Sequence, residues 1–327
     1  MDLPPAFAVK ERDHNEVKVR GKAGGALLRF AVVVNAKAGL ASRMGARALR
    51  ALMDQRLGPQ LGHLRVIRPT ALADALTEAV ALKPDAILVL GGDGTARSAA
   101  GLLYPTRIPA AFLPGGTMNI LPKRLYGDMP LEAVLETIAA GGVTVKEIET
   151  GLANDEPFFV AASFGYLPLL AVVREKHRAA MNLIYSLRVV GRILRFGPRL
   201  FRPHLLFNPP DGPSRLSAAL IVSLGSADVL HPLRANPATL DSFEGISLDV
   251  QGWWSLAGLT AKALVLPDWR QDPRVTPFRA ERLLVQSGPR LRATLDGEPV
   301  TLQSPLSLSV AKSGLRVLSL PVAREPR

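Results

Sequence analysis

Residues 85–95 read Asp-Ala-Ile-Leu-Val-Leu-Gly-Gly-Asp-Gly-Thr, an unbroken apolar run delivered straight into glycines. A strand without polar alternation is buried on both faces, as strands of parallel sheets are. Residues 30–35, 64–68 and 110–113 carry similar short strand signals. Helix-period segments separate them at 43–57, from Thr70 (read as a helix N-cap) to about residue 82, and from about Ala96. Alternating strands and helices of this kind predict a parallel sheet with helices on both faces. The expectation is therefore an α/β domain over 27–143, a parallel sheet with helices on both faces.

After about Lys146 the texture changes. Short strand-like runs at 146–153, 158–164, 205–208, 218–224, 246–251, 282–286, 290–295 and 299–303 are divided by turn residues, the pattern of antiparallel sheets. This predicts a mainly antiparallel β domain over 144–321, its last residues able to return to the first domain. Residues 1–26 mix Lys10, Glu11, Arg12, Asp13 and Glu16 without an apolar core. They read as a flexible extension rather than a secretory leader.

Composition narrows the chemistry. The chain has no cysteine, which excludes disulfides and thiolate zinc sites, and its five histidines sit at no metal-ligand spacing. Carboxylates, hydroxyls, glycines and basic groups must do the work. The longest uncharged stretch, 158–173, falls short of the roughly 18 residues a spanning helix needs, so a cytoplasmic protein is expected. The net charge of +12 suits an anionic partner. Arg188, Arg192, Arg195 and Arg199 form one helical stripe that could dock on anionic lipid headgroups, so peripheral membrane association is expected. Aromatic residues are only 6% and no nucleic-acid motif is present, which argues against nucleic acid as the partner. An oligomer is compatible with the sequence.

Two glycine turns stand out. Gly91-Gly92-Asp93-Gly94-Thr95 follows the buried strand and opens a helix. Pro114-Gly115-Gly116-Thr117-Met118-Asn119 repeats the arrangement at the end of the next strand. Ligands of open α/β sheets bind at the carboxyl ends of strands. There, bare main chain lets N–H groups approach phosphate oxygens. Neither turn fits the P-loop or the G-x-G-x-x-G pattern. Asp296-Gly297-Glu298 places two carboxylates two residues apart; on an extended strand both would share one face.

Together these residues resemble the diacylglycerol kinase catalytic-domain family, especially its bacterial lipid kinases, from about Arg29 to Leu320. Asn35-Ala36-Lys37-Ala38-Gly39 stands where the family has N-P-x-S-G, G-G-D-G-T is intact, and Gly116-Thr117-Met118-Asn119 matches G-T-x-N. Residues 159–165 resemble the strand opening the second domain, and Asp296-Gly297-Glu298 the late D-G-E. The resemblance implies an ATP- and Mg²⁺-dependent kinase acting on a lipid hydroxyl, with diacylglycerol the default acceptor. It implies that 27–143 binds the nucleotide and 144–321 the lipid substrate, with the active site in the cleft between. It implies that Asn35, Ala36, Lys37, Ala38, Gly39, Thr70, Gly91, Gly92, Asp93, Gly94, Thr95, Ala96, Arg97, Gly116, Thr117 and Asn119 contact ATP, with Asp93 holding Mg²⁺ through water. Phosphoryl transfer needs positioning, charge neutralisation and a proton acceptor. Asp296 is the first choice for that acceptor, with Glu298 as rival or metal-water ligand.

Departures from the family pattern are Ala36 and Ala38, which remove a proline and a hydroxyl, and Ile120, where an acid is usual. A segment whose Asp-Gly binds a structural metal is resembled by 236–246. Glu244 replaces that Asp, with Asp241 and Ile246 as companion candidates. Two alternatives remain. NAD kinases share G-G-D-G-T and carry an N-E element that Asn154-Asp155-Glu156 superficially suggests. A catalytically silent lipid- or nucleotide-binding protein would also fit the losses at Ala36, Ala38 and Ile120.

Overall fold

The structure, a computed structural model, describes residues 17–18, 28–167, 204–209, 213–224, 242–250, 252, 254–255, 258–259, 262, 271–311 and 313–321. The Arg188–Arg199 stripe and Asp241 lie outside these residues. The chain begins with β1 (Val17–Lys18), β2 (Phe30–Asn35), α1 (Gly39–Met44), α2 (Ala46–Leu57), β3 (Leu61–Ile67) and α3 (Leu72–Ala81). It continues through β4 (Ala86–Gly91), α4 (Asp93–Leu103), β5 (Ala110–Pro114), α5 (Ile120–Tyr126), α6 (Leu131–Ala139) and β6 (Thr144–Ile148). Short strands then follow: β7 (Gly151–Ala153), β8 (Glu156–Phe158), β9 (Ala161–Gly165), β10 (Leu205–Phe207), β11 (Arg215–Ser217) and β12 (Ala219–Leu224). The rest are β13 (Phe243–Leu248), β14 (Val275–Ala280), β15 (Arg282–Gln286), β16 (Arg290–Leu295), β17 (Glu298–Gln303), β18 (Leu306–Val310) and β19 (Leu315–Ser319).

Among the described residues the first sheet runs β1-β6-β19-β5-β4-β2-β3, with the β3, β2, β4, β5 and β19 ladders parallel. Every residue of β2 and β4 is buried, as their apolar runs require. Helices cover this sheet with apolar stripes at helical spacing, such as Leu131, Val134, Leu135 and Ile138 on α6. The second half is antiparallel throughout its two sheets, β11-β10-β15-β18-β7-β8 and β14-β13-β12-β9-β16-β17. An α/β half and an antiparallel β half are thus the observed architecture. No helix among the described residues is long and apolar enough to cross a membrane.

Several expectations change at the boundaries. Thr144–Ile148, expected to open the second domain, pairs in the first sheet, and β19 returns from the far end of the sequence to lie between β6 and β5. Val17–Lys18, inside the segment read as a flexible extension, pair with Val145 and Thr144 at the sheet edge. The expected strand 158–164 is broken after Phe158 because the next amides bond elsewhere, as described below.

Two covalently adjacent halves are joined by more than their linker. Phe159 is fully buried in the core of the first half, edge-on to Tyr104 with ring centroids 6.5 Å apart. Arg124 on α5 donates to the Phe159 carbonyl and to the Glu149 carboxylate, both part-buried. Burying a Phe contributes about 1.5–3 kcal/mol, so the start of the second half is fixed against the first.

Candidate active site

The carboxyl ends of β2, β4 and β5 meet at three loops that hydrogen-bond to one another. Asn35, the buried last residue of β2, donates from Nδ2 to Thr95 Oγ1 at 2.8 Å and accepts the Lys37 N–H at 3.0 Å. The loop after β2 is thereby tied to the first turn of α4. Leu40 N–H donates to the Gly115 carbonyl at 3.1 Å, linking α1 to the second glycine turn. Asp93, at the start of α4, accepts the Ile120 N–H on Oδ1 at 2.7 Å, and Asn119 Oδ1 accepts the Gly116 N–H at 2.8 Å. The two glycine turns form one unit.

Glycine is required where these turns touch. A methyl on Gly116 would lie 2.8 Å from the Gly92 Cα, closer than real side chains come. The turns are therefore packed main chain against main chain, a surface able to approach phosphate oxygens.

The D-G-E turn reaches this surface. Leu295 pairs with Glu298, and Asp296 and Gly297 form the two-residue hairpin loop, both left-handed at φ +52° and +86°. Positive φ at both positions marks a type I′ turn. The expectation that both carboxylates share one strand face is thereby corrected, since Asp296 is a loop residue.

Asp296 folds back instead. It is 7% exposed, and its carboxylate accepts the N–H groups of Phe159, Val160 and Ala161 at 2.9, 2.7 and 3.1 Å. These amides interrupt the strand between β8 and β9. Burial pushes the Asp296 carboxyl up from its ordinary range, while the three N–H donors and the Arg97 charge pull it down. Glu298 goes the other way. A methyl on Gly94 would sit 2.9 Å from Glu298 Oε1 and 3.1 Å from its Cδ, so this carboxylate lies on the first turn of α4. Gly297 approaches Ile120, whose Cδ1 would be 3.5 Å from a methyl there.

The structure thus brings together Asn35, Lys37, Asp93, Gly94, Thr95, Gly116, Asn119, Asp296 and Glu298. Ala36 N–H donates to the Ile67 carbonyl at 2.8 Å, joining the loops after β2 and β3, and Ala38 is buried. Lys37, Thr70 and Thr117 are exposed on their loops. Thr70 lies in the short 3₁₀ turn Pro69–Ala71 ahead of α3 rather than capping it. Gly91 is buried against Thr95, and Ala96 is buried in α4.

The second metal candidate fares differently. Glu244 on β13 faces Arg279 across the ladder and accepts from its Nη2 at 2.6 Å, while Ile246 sits mid-strand between β12 and β14. No three His, Asp or Glu side chains converge on a metal position among the described residues. A cavity of about 320 Å³ adjoins Gly116 and Asn119, with Leu40, Arg43, Lys123, Tyr126 and Met129 in its wall. Proximity in sequence gave no signal for it.

An α/β sheet with paired glycine turns and an acidic hairpin from an antiparallel β half define the class of this protein. Residues 29–151 match the family model of the diacylglycerol kinase catalytic domain, the family that the sequence motifs resemble. A solved structure of a diacylglycerol kinase from Bacillus anthracis str. Sterne is similar at TM-score 0.57 and 15% identity, over 90% of this chain and 97% of its own. A second solved structure from the same organism, of a protein provisionally assigned as a diacylglycerol kinase, is similar at TM-score 0.64 and 17% identity, over 89% of this chain and 97% of its own. These likenesses establish the fold. A curated relative, an uncharacterized protein of Synechocystis sp., is 34% identical over 80 residues, 24% of this chain and 18% of that relative's length.

Proposed function

We propose that this protein is an ATP- and Mg²⁺-dependent kinase that phosphorylates the hydroxyl of a lipid of the diacylglycerol class. The observation that carries the reading is the Glu298 carboxylate resting on Gly94 at the start of α4, beside the paired glycine turns. A triphosphate fits that main-chain surface, with Asn35 and Asp93 holding the loops in place. Glu298 takes the proton of the acceptor hydroxyl as its oxygen bonds to the γ-phosphorus, the bond to the β–γ bridging oxygen breaks, and ADP leaves. Asp296 is the positioning partner, since three N–H groups occupy its carboxylate.

The donor set also suits Mg²⁺. Asp93 has no hydrogen bond on Oδ2 among the described residues, and Mg²⁺ prefers carboxylate oxygen with several retained waters. When bound, Mg²⁺ neutralises phosphate charge. Ile120 offers no carboxylate, which leaves Asp93 and Glu298 as the acids at the turns.

The test is incubation with radiolabelled ATP and mixed lipid alcohols, with NAD in a parallel reaction, followed by thin-layer separation. A labelled lipid is expected. Labelled NADP would support the NAD kinase reading, and absence of both would support a silent binding protein. Asn154 and Asp155 favour the lipid reading: they form the hairpin loop between β7 and β8, with the Ser307 N–H bonded to Asn154 Oδ1 at 3.0 Å. A turn so occupied resembles a structural corner more than a nucleotide contact. Attachment to anionic membranes is part of the proposal and is read by co-sedimentation with anionic vesicles.

A further inference from the structure

Asn35 closes β2 at 7% exposure and uses both ends of its amide. The Lys37 main-chain N–H can only donate, and it lies 3.0 Å from Oδ1, so the amide oxygen faces that turn. Nδ2 therefore faces α4 and donates to Thr95 Oγ1 at 2.8 Å. The amide cannot be reversed without setting its NH₂ against the Lys37 N–H. Thr95 is held as firmly. Its side chain overlies Gly91, where an added methyl would meet Thr95 Cγ2 at 2.5 Å and Oγ1 at 2.9 Å. A β-branched side chain on a helix has few rotamers to choose from, so Oγ1 stays beside Asn35. A hydroxyl carries one hydrogen and two lone pairs. One lone pair receives the Asn35 N–H, which leaves the hydrogen to be given elsewhere. It has no acceptor among the described residues, and Thr95 is part-exposed in the first turn of α4, next to Gly94.

We propose that Asn35 is a positioning residue that sets the polarity of this corner: by donating to Thr95, it commits the Thr95 hydroxyl to donate toward an anionic oxygen of the bound triphosphate. Asn35 thus acts on the nucleotide through Thr95 rather than by touching it. The choice of amide over acid follows. Asn35→Asp keeps the size of the side chain and the oxygen that accepts the Lys37 N–H, yet its second oxygen takes the Thr95 hydrogen for itself and turns the donor away from the ligand. This inference rests on the nucleotide part of the proposed function and is independent of the lipid acceptor.

The test is a double-substitution cycle on the full chain, read as ATP affinity by isothermal titration with Mg²⁺ present. Thr95→Val is expected to weaken binding about tenfold or more, the worth of a hydrogen bond to a charged group. Thr95→Ser, which keeps the hydroxyl, should recover most of that loss. With Asn35→Asp already in place, adding Thr95→Val should change affinity by less than about twofold, because the hydroxyl no longer serves the ligand. The charge that Asn35→Asp introduces is present on both sides of that comparison and cancels. Asn35→Ala frees the hydroxyl to rotate and should give an intermediate Thr95→Val factor; it decides the matter if Asn35→Asp does not fold. Inorganic triphosphate, read by competition, should follow the same pattern. Equal Thr95→Val factors in every Asn35 background would overturn the proposal, as would a Thr95→Val protein that binds ATP like its parent. So would an effect confined to ATP and absent with inorganic triphosphate, or an unaltered chain that binds neither. If the cycle holds but no lipid is labelled, the lipid reading falls and this inference stands. Equal factors in a chain that does label lipid would have the reverse meaning.

Discussion

Replacing Glu298 by Gln keeps the side chain's volume over Gly94 and removes its capacity to take a proton. Lipid phosphorylation is expected to fall by about 10²–10⁴-fold, the usual contribution of a general base, with the melting temperature nearly unchanged. Gly94→Ala offers a complementary separation. Alanine favours a helix by up to about 1 kcal/mol over glycine, yet its methyl would meet Glu298 Oε1 at 2.9 Å. Folding stability should therefore stay within about 1 kcal/mol of the parent while kcat drops, as calorimetry and steady-state rates would show. Asp296→Asn has the opposite signature. Its amide group presents N–H to backbone N–H, leaving at least one buried donor unsatisfied, at a cost of about 1–3 kcal/mol. Chemical denaturation measures that loss. These contrasts follow from the left-handed pair Asp296-Gly297, which sends neighbouring carboxylates to different partners.

At the level of elements, periodicity located β2, β3, β4, β5 and β6 of the first sheet but neither β1 nor β19, and not the interruptions. The helix predicted over 43–57 is two helices, since Gly45 at φ +79° ends α1 and begins α2. The strand predicted over 146–153 breaks at 149–150, where Glu149 turns to Arg124 and Thr150 Oγ1 accepts the Leu315 N–H. Both interruptions depend on partners far away in sequence, which no local pattern encodes. The two glycine turns were legible because strand-end glycines have a local reason to be there. The division of roles within D-G-E was not, because it is decided by the 159–161 amides. Arg124 gives an element-scale prediction. Arg124→Ala strands the part-buried Glu149 and the Phe159 carbonyl, and should cost about 1–3 kcal/mol. Hydrogen exchange should show the loosening concentrated at α5 and the β8–β9 connection.

For the molecule as a whole, the two halves are not successive pieces of sequence. β19 runs antiparallel to β6, with Leu315 opposite Ile148, and parallel to β5. Tyr126 Oη donates to the Leu318 carbonyl at 2.8 Å in the core. Burial pushes that phenol far above its ordinary range, so it stays neutral and remains a donor. A fragment covering 28–150 therefore lacks an interior strand. It should show no cooperative thermal transition, whereas a fragment covering 28–148 and joined to 315–321 through a short hairpin linker should melt cooperatively by circular dichroism. Equal behaviour of the two fragments would mean that β19 is dispensable.

On the ribosome, this placement of β19 has a temporal cost. The first half cannot close until residue 319 has emerged, after all of 149–314 has been translated. Until then the flank of β5 that receives β19 is an open template for any extended chain nearby. Nascent copies should thus depend on holding chaperones for longer than their domain sizes alone suggest, and translational pausing beyond residue 150 should give no productive folding.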